Sequence, residues 1–164
     1  ISAGTPTPCL PKALFSFKGV QRRFSYKIKR EDLVLIDDYA HHPTELNALH
    51  QAVSEMYPND KKSIVFQPHL YSRTRDFATG FAKSLSLFDE VLLLDIYPAR
   101  EEPIPGVTSE WLFEQISSPY KKLIGKDEIP KSIKKSACRI RLMVGAGDIG
   151  AEVEKVTKYL NNES

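Results

Sequence analysis

The sequence predicts an α/β fold: a Rossmann-like three-layer sandwich with a mostly parallel sheet of about six strands, one antiparallel edge strand, and helices on both faces. Two observations predict it. Short apolar segments alternate along the chain with polar or glycine-rich turns and amphipathic segments, which is the order of repeated strand–helix units. A segment with period-two alternation precedes the first unit and indicates a half-exposed strand.

The half-exposed strand is predicted over residues 20–29, and it is expected to be the antiparallel edge. Its apolar face consists of Val20, Phe24, Tyr26 and Ile28. After a polar turn, residues 33–36 are continuously apolar, as in a strand buried on both faces of a sheet. This strand is predicted over residues 33–37, and further strands over residues 63–66, 90–96, 122–124 and 140–144.

Three helices are predicted from apolar residues that recur at three-to-four spacing. The first runs from Leu46 to Met56, the second from Phe77 to Phe88, and the third from Ile149 to Leu160. Shorter helices are predicted over residues 109–116 and 130–137, where fewer apolar turns can be counted. Helices between successive strands require crossover connections, which is why the sheet is expected to be mostly parallel.

The composition is that of an ordinary globular domain, with 41% hydrophobic and 27% charged residues in 164. A formal charge of +2 favours neither a nucleic-acid nor a membrane partner. Two cysteines do not indicate a disulfide framework, so free thiols and a reducing compartment are expected. The sequence contains no apolar segment of membrane-spanning length and no signal-peptide pattern at its start, which predicts a cytoplasmic protein.

The first residues predict a linker. The chain begins at Ile1 rather than methionine, and three prolines follow without periodic patterning: Pro6, Pro8 and Pro11. We expect a linker over residues 1–18 and one domain over residues 19–164. A start within a linker indicates a piece of a longer protein, with a processed or tagged chain as the alternative.

Ligands of an open parallel sheet bind beyond the carboxyl ends of its strands. Four turns at these ends are rich in polar residues or glycine, and they are expected to converge on one edge. They comprise residues 37–42, 67–73, 97–100 and 145–150.

The first turn leads into a helix, because Pro43 suits a first helical position and Glu45 the first turn. His42 is therefore expected at or next to the N-cap. His41 and His42 together suggest a metal site, but adjacent side chains diverge, whereas histidines that share a metal on a helix are four residues apart. Capping by one histidine and packing by the other is the structural alternative. Of the two aspartates, Asp38 is expected to face the ligand, and Asp37 to face solvent or a neighbouring strand.

The second turn predicts an anion clamp, because His69, Arg73 and Arg75 surround a helix start with Ser72 or Thr74 as its N-cap. For Arg75 the alternative is a solvated pair with the neighbouring aspartate. The fourth turn matches G-x-G-x-x-G, but only fourteen residues follow it, too few for the next strand and acidic residue of a dinucleotide site. Gly145 and Gly147 are expected either to allow close backbone approach of a ligand or a neighbouring domain, or to serve tight strand–helix packing. The sequence has no G-x-x-x-x-G-K-[ST] loop.

Four segments in register resemble the C-terminal domain of the Mur ligases: DDYAHHPTEL, FQPHLYSRTRDF, DIYPAREEPIPGV and GAGDIG. The resemblance begins near Ala13 and covers nearly the whole chain. It is nearest to the branch that joins L-alanine to UDP-N-acetylmuramate. A branch that attaches a recycled tripeptide shares the first segment but departs from FQPH, and it remains the alternative.

This resemblance implies an ATP-dependent acid:amino-acid ligase of peptidoglycan biosynthesis with three domains. The N-terminal domain for the UDP-sugar and the central P-loop ATPase domain, which holds most of the ATP and Mg²⁺, are absent from this chain. ATP phosphorylates the muramoyl carboxylate, and the amine of L-alanine attacks the acyl phosphate. The domain present here closes over that site and is expected to be inactive alone, with no catalytic residue of its own.

The resemblance also implies roles for matching residues. Asp38 and His41 match ATP-binding positions, with Asp38 at the ribose and His41 close to the phosphates. Tyr39, His41, His69 and Arg73 match positions around the amino-acid substrate. Where some relatives carry a second arginine, this chain has Leu70, and Asp148 is given no role.

Two hypotheses that assign the chain to other functional classes remain open. A free-standing nucleotide- or anion-binding module is suggested by the glycine turn and the basic turn. A metal-dependent hydrolase using His41 and His42 would require stoichiometric metal after purification.

Overall fold

The computed structural model describes residues 22–162, and six strands in this part of the chain form one sheet. Their order is β1–β2–β6–β3–β4–β5. They are β1 (Ser25–Lys29), β2 (Val34–Asp38), β3 (Lys62–Phe66), β4 (Glu90–Leu93), β5 (Tyr120–Leu123) and β6 (Ile140–Val144). β1 runs antiparallel to β2, and every other pair is parallel. The predicted sheet and its antiparallel edge are confirmed. The edge strand, predicted over residues 20–29, begins at Ser25, because residues 22–24 form a bend with positive φ at Arg22 and Phe24. The predicted linker and residues 20–21 lie outside the described residues.

The helices are α1 (Pro43–Met56), α2 (Tyr71–Asp76), α3 (Ala78–Leu85), α4 (Ser109–Gln115), α5 (Ile129–Lys135) and α6 (Ile149–Asn162). A 3₁₀ turn, Lys126–Glu128, precedes α5. The second helix, predicted from Phe77 to Phe88, is confirmed as α3, but α3 ends at Leu85, three residues earlier than predicted. The short helix α2 precedes it and meets it at Phe77. Phe77 is 42% exposed, so the apolar residues that recur at helical spacing include one surface residue besides the core residues.

Two hydrophobic cores cover the two faces of the sheet. In β2, Val34 and Ile36 pack in the core that contains α1, α3 and α4, whereas Leu35 packs in the core that contains α5 and α6. Alternate side chains of a strand point to opposite faces, so a continuously apolar strand serves both cores. This confirms the three-layer arrangement. Since β6 lies between β2 and β3, the turns that follow β2, β6, β3 and β4 are neighbours.

The start of α1 packs closely on α3. A Cβ atom at Gly80 would lie 2.9 Å from Cγ of Pro43, and the hydroxyl of Ser84 donates to the carbonyl of Pro43 at 3.2 Å. We expect Gly80→Ala to lower the free energy of unfolding by about 1–3 kcal/mol, since the added methyl overpacks this contact. Urea unfolding measures the change. An increase in stability, the usual result of Gly→Ala within a helix, would contradict the packing described here.

Two further observations concern the chain as a whole. Cys138 is a buried free thiol, and burial raises its pKa above the usual value, as expected for an unreactive cysteine; Cys9 lies outside the described residues. Across residues 22–162, no helix combines the length and apolar character needed to cross a membrane.

Candidate functional site

The four polar turns lie side by side beyond four neighbouring strands. Backbone hydrogen bonds link them in pairs: Gly145 N donates to Asp38 O at 3.2 Å, and Leu70 N donates to Tyr97 O at 2.9 Å. The predicted convergence is therefore confirmed. These turns, residues 37–42, 67–73, 97–100 and 145–150, are called the carboxyl edge below.

His42 is the N-cap of α1, as predicted. Its Nδ1 accepts from the backbone N–H of Thr44 at 3.3 Å. The carboxylate of Glu45 accepts from the backbone N–H of His41 at 2.8 Å and of His42 at 3.1 Å. This reciprocal capping satisfies several N–H groups that a helix start leaves unpaired. The His42 ring also lies edge-on against Phe77, with ring centroids 4.5 Å apart.

The side chain of His41 takes a different direction from that of His42. Its Nδ1 lies 2.9 Å from the carbonyl oxygen of Tyr39, and its ring packs edge-on against the Tyr39 ring. Because a carbonyl only accepts, Nδ1 donates there, and Nε2 of the neutral ring remains an acceptor. Residues 22–162 hold no cluster of three or more His, Cys, Asp or Glu suited to a metal ion.

Asp38 closes the first turn. Its carboxylate accepts from the backbone N–H of Ala40 at 2.8 Å and from that of Phe24 at 2.6 Å. The residue is only 9% exposed. Two carboxylate oxygens offer about four lone-pair sites, so acceptor capacity remains for a ligand hydroxyl. The side chain is thus part of the turn, and its binding of a ligand stays a prediction.

Asp37 is paired and almost fully buried. Arg22 lies 3.2 Å away on one side and Lys27 of β1 lies 3.8 Å away on the other, so Asp37 does face the neighbouring strand. Burial raises the pKa of Asp37 above its usual value despite both cations. Arg22 also donates to Gly145 O at 2.7 Å and lies 5.3 Å from the centre of the Tyr39 ring. Arg22 therefore joins the first and fourth turns, a role that sequence reasoning missed.

In the second turn, two residues predicted for the anion clamp, Arg73 and His69, are in contact. Nη1 of Arg73 lies 3.3 Å from Nδ1 of His69. Since a guanidinium only donates, Nδ1 of His69 accepts and its ring proton sits on Nε2. Arg75 instead pairs with Asp76 at 2.8 Å, and both side chains are more than half exposed. Arg75 therefore fits the predicted alternative of a solvated pair.

The predicted N-cap of this helix is wrong. The N-cap of α2 is Leu70, at φ 73°, rather than Ser72 or Thr74. The backbone N–H of Ser72 donates to the carboxylate of Glu101 at 2.9 Å, and its hydroxyl donates to the same carboxylate. These bonds hold the pKa of Glu101 below its usual value. This acceptor is the residue that follows the third turn, so the local sequence around α2 did not reveal it.

The surroundings of His69 favour its neutral form. Burial lowers the pKa of His69 below 6.5. The positive charge of Arg73 lowers it further, as does His41 when its ring is protonated. As pH falls below 6.5, the unfolded chain binds a proton before the folded chain does. The stability that this histidine contributes above pH 6.5 is therefore lost as pH falls towards its folded-state pKa.

An NMR titration of the ring tests this. We expect His69 to titrate below 6.5, and Arg73→Met to raise its pKa because one positive charge is removed while burial remains. An unchanged or lower pKa in the variant would contradict the contact between the two side chains.

The fourth turn is packed against the second and third. A Cβ at Gly145 would lie 2.8 Å from the carbonyl oxygen of Gln67, and Gly145 has φ 148°. A Cβ at Gly147 would overlap the Gln67 side chain and lie 2.8 Å from the Tyr97 ring. Gln67 itself accepts from Ile149 N at 2.9 Å. The glycines thus allow close packing within the domain, which was one of the two predicted alternatives.

Asp148 belongs to the same packing. Its carboxylate accepts from Nε2 of Gln67 at 2.7 Å and pairs with Lys126. Partial burial acts to raise the pKa of Asp148, but hydrogen bonds from Lys126 and Gln67 outweigh it and lower the pKa below its usual value. The loop that precedes α6 is fixed by these contacts.

Residues 22–150 match the family described as Mur ligase, glutamate ligase domain. The chain belongs to this family. The match spans all four turns of the carboxyl edge, so this edge is the corresponding part of the Mur ligase domain.

Relatives agree with this assignment. The chain is 62% identical over 164 residues to the UDP-N-acetylmuramate–L-alanine ligase of Christiangramia forsetii, covering all of this chain and 36% of that protein. The structure of UDP-N-acetylmuramate–alanine ligase from Thermotoga maritima matches with a TM-score of 0.73 and 28% identity, over 93% of this chain and 33% of that one. A murein peptide ligase from Psychrobacter arcticus shares the fold, with a TM-score of 0.66 and 22% identity over 92% of this chain and 32% of that one. The chain spans about a third of the length of these relatives.

Within the Mur ligase domain, the residues predicted for the amino-acid substrate lie together. The ring centroids of His41 and His69 are 6.4 Å apart, Tyr39 packs on His41, and Arg73 contacts His69. Asp38 belongs to the same turn as Tyr39 and His41, and its carboxylate accepts from two backbone N–H groups. The roles given to these residues stay predictions. Sequence reasoning missed four organising residues: Arg22, Gln67, Tyr97 and Glu101. Of these, Gln67 gave a signal, because it directly follows a buried apolar strand.

Proposed function

We propose that this chain is the C-terminal domain of a UDP-N-acetylmuramate–L-alanine ligase, a peptidoglycan-synthesising enzyme. The observation that carries the proposal is the 62% identity, along the whole chain, to a protein of that name. The grouping of Arg73, His69 and His41 at the carboxyl edge supports it, because this edge offers a cation and the Nε2 acceptor of His41 for a small zwitterion.

In the proposed reaction, ATP converts the muramoyl carboxylate into an acyl phosphate. The amine of L-alanine then attacks the acyl carbon, the amide bond forms, and inorganic phosphate leaves with the electrons of the broken C–O bond. The surplus amine proton passes to solvent. The domain would contribute positioning, which supplies up to about 7–11 kcal/mol in well-aligned reactions.

Individual roles follow from the geometry. The guanidinium of Arg73 would hold the carboxylate of L-alanine, with His69 keeping it in place from Nδ1. His41 has Nε2 as an acceptor, which suits a contact with the amine or a phosphate hydroxyl. Tyr39, 37% exposed beside His41, would cover the amino acid. Asp38 retains acceptor capacity for a ribose hydroxyl of ATP.

We further propose that ATP and Mg²⁺ bind mainly to a central domain outside this chain, and that UDP-N-acetylmuramate binds to an N-terminal one. The fit within this chain is partial: Asp38 and His41 suit a nucleotide edge. Mg²⁺ is usually bound by carboxylates together with the phosphates of its nucleotide. If the ATP phosphates lie on the central domain, Mg²⁺ would bind there with them.

The test is ligation by the complete protein that contains this chain. Supplied with UDP-N-acetylmuramate, ATP, Mg²⁺ and L-alanine, it should release ADP and phosphate only when the amino acid is present, with one amide formed per ADP. The 164-residue chain alone should show no turnover. Ligation by the chain alone, or ADP release that does not depend on L-alanine, would refute the proposal.

A further inference from the structure

We propose that Tyr97 is a positioning residue whose ring fixes His69 and, through His69, the guanidinium of Arg73. This inference rests on the proposed function and concerns the same binding edge. No feature of the local sequence links Tyr97 to Arg73, which lies 24 positions earlier.

The first step is the contact between rings. The rings of Tyr97 and His69 are stacked, with centroids 5.6 Å apart and planes inclined by 29°. His69 in turn places Nδ1 3.3 Å from Nη1 of Arg73. A histidine held by stacking on one face has a restricted orientation, so its acceptor nitrogen is presented to the arginine in one direction.

The second step is the support of the Tyr97 ring from the other turns. A Cβ at Gly147 would lie 2.8 Å from both Cβ and Cγ of Tyr97, so the glycine backbone packs directly against this side chain. The buried side chain of Gln67 occupies the remaining space beside Gly147. The loop before α6 is thereby connected by packing, through Tyr97 and His69, to Arg73.

The ring of Tyr97 stacks on His69, whereas its backbone holds the second turn by hydrogen bonds. Its backbone N–H donates to Pro68 O at 2.8 Å, and its carbonyl accepts from Leu70 N at 2.9 Å. These bonds shape the second turn and survive any change of side chain. A substitution at Tyr97 can therefore remove the stacked ring while the turn keeps its backbone support.

The test compares two variants of the complete protein. Tyr97→Leu removes the aromatic face and should raise the KM for L-alanine by about 10-fold, since small misplacements of a positioning group have effects of this size. The KM values for ATP and UDP-N-acetylmuramate should not change. Tyr97→Phe keeps the ring and should stay close to wild type. Tyr120→Leu, at a 56% exposed tyrosine on the far edge strand, is the matched control.

A double-mutant cycle of Tyr97 and Arg73 distinguishes a positioning role of Tyr97 from a general structural role. In an Arg73→Ala background, Tyr97→Leu should have no further effect on the KM for L-alanine, because the group that it positions is gone. Gly147→Ala, which displaces the ring, should reproduce the effect of Tyr97→Leu if the variant stays folded by circular dichroism.

The outcomes are distinct. If Arg73→Ala raises the KM for L-alanine and Tyr97→Leu does not, the inference fails and the proposed function stands. If Tyr97→Leu affects all substrates equally, or acts fully in the absence of Arg73, the positioning role is refuted. If the wild-type protein does not ligate L-alanine, the proposed function fails and the inference fails with it.

Discussion

In the complete protein, Arg73→Ala is expected to raise the KM for L-alanine by about 10- to 100-fold, because a charge-assisted hydrogen bond worth about 1.5–3 kcal/mol is lost. Nδ1 of His69 lies 3.3 Å from Nη1 of Arg73 and accepts from one of the five guanidinium donors, so further donors can bind a carboxylate. The expected effect is on binding of the amino acid, with the KM for ATP unchanged.

Steady-state kinetics with each substrate varied in turn measure this effect. Arg75→Ala is the matched control, since Arg75 lies on the same helix but pairs with Asp76 and is more than half exposed. It should leave the KM for L-alanine within about twofold of wild type, as expected for a surface pair. Equal effects of the two variants would show that general positive charge, rather than Arg73, accounts for the binding.

The second large effect is expected from Arg22→Met. This change removes the closer cation from Asp37, which is 1% exposed. Among the described residues, Lys27 at 3.8 Å then remains as its ion-pair partner. It also removes the donor to Gly145 O. We expect the free energy of unfolding to fall by about 2–4 kcal/mol, because a buried carboxylate and a carbonyl lose their partner.

Urea unfolding of the chain checks this value. Arg75→Met, the same substitution at an exposed pair, should change the free energy by less than about 1 kcal/mol. In an Asp37→Asn background, Arg22→Met should cost less, since a neutral amide does not need a nearby cation. A cost that is the same in both backgrounds would contradict the assigned ion pair.

Much of the fold could be predicted because it depends on local patterning. β2 and β6 could be predicted to within one residue, since each strand carries buried apolar residues that pack in both cores. The start of α1 was predicted because Pro43 and Glu45 mark it locally. The predicted apolar face of α3 was wrong at Phe77, where an aromatic at helical spacing packs on His42 at the surface instead of in the core.

The site could be predicted only in part. Its chemistry-bearing residues occur in turns that follow buried strands, so Asp38, His41, His69 and Arg73 could be chosen from sequence. The residues that hold these side chains and turns in place could not be chosen from sequence, because they come from distant parts of the chain. Arg22 reaches Gly145 across 123 residues, and Gly147 meets Tyr97 across the sheet. The capping of α2 by Glu101 has the same origin, since its acceptor lies 29 residues away.

We propose that this domain serves the addition of L-alanine rather than of a peptide. The most direct test is a competition in which the complete protein receives UDP-N-acetylmuramate, ATP, Mg²⁺, and equal concentrations of L-alanine and of a tripeptide that begins with L-alanine. Mass spectrometry then identifies the amide product. We expect UDP-N-acetylmuramoyl-L-alanine to be the dominant product, and its share to fall greatly at limiting L-alanine in the Arg73→Ala variant. Dominant tripeptide addition by the wild-type protein would refute a role in L-alanine addition.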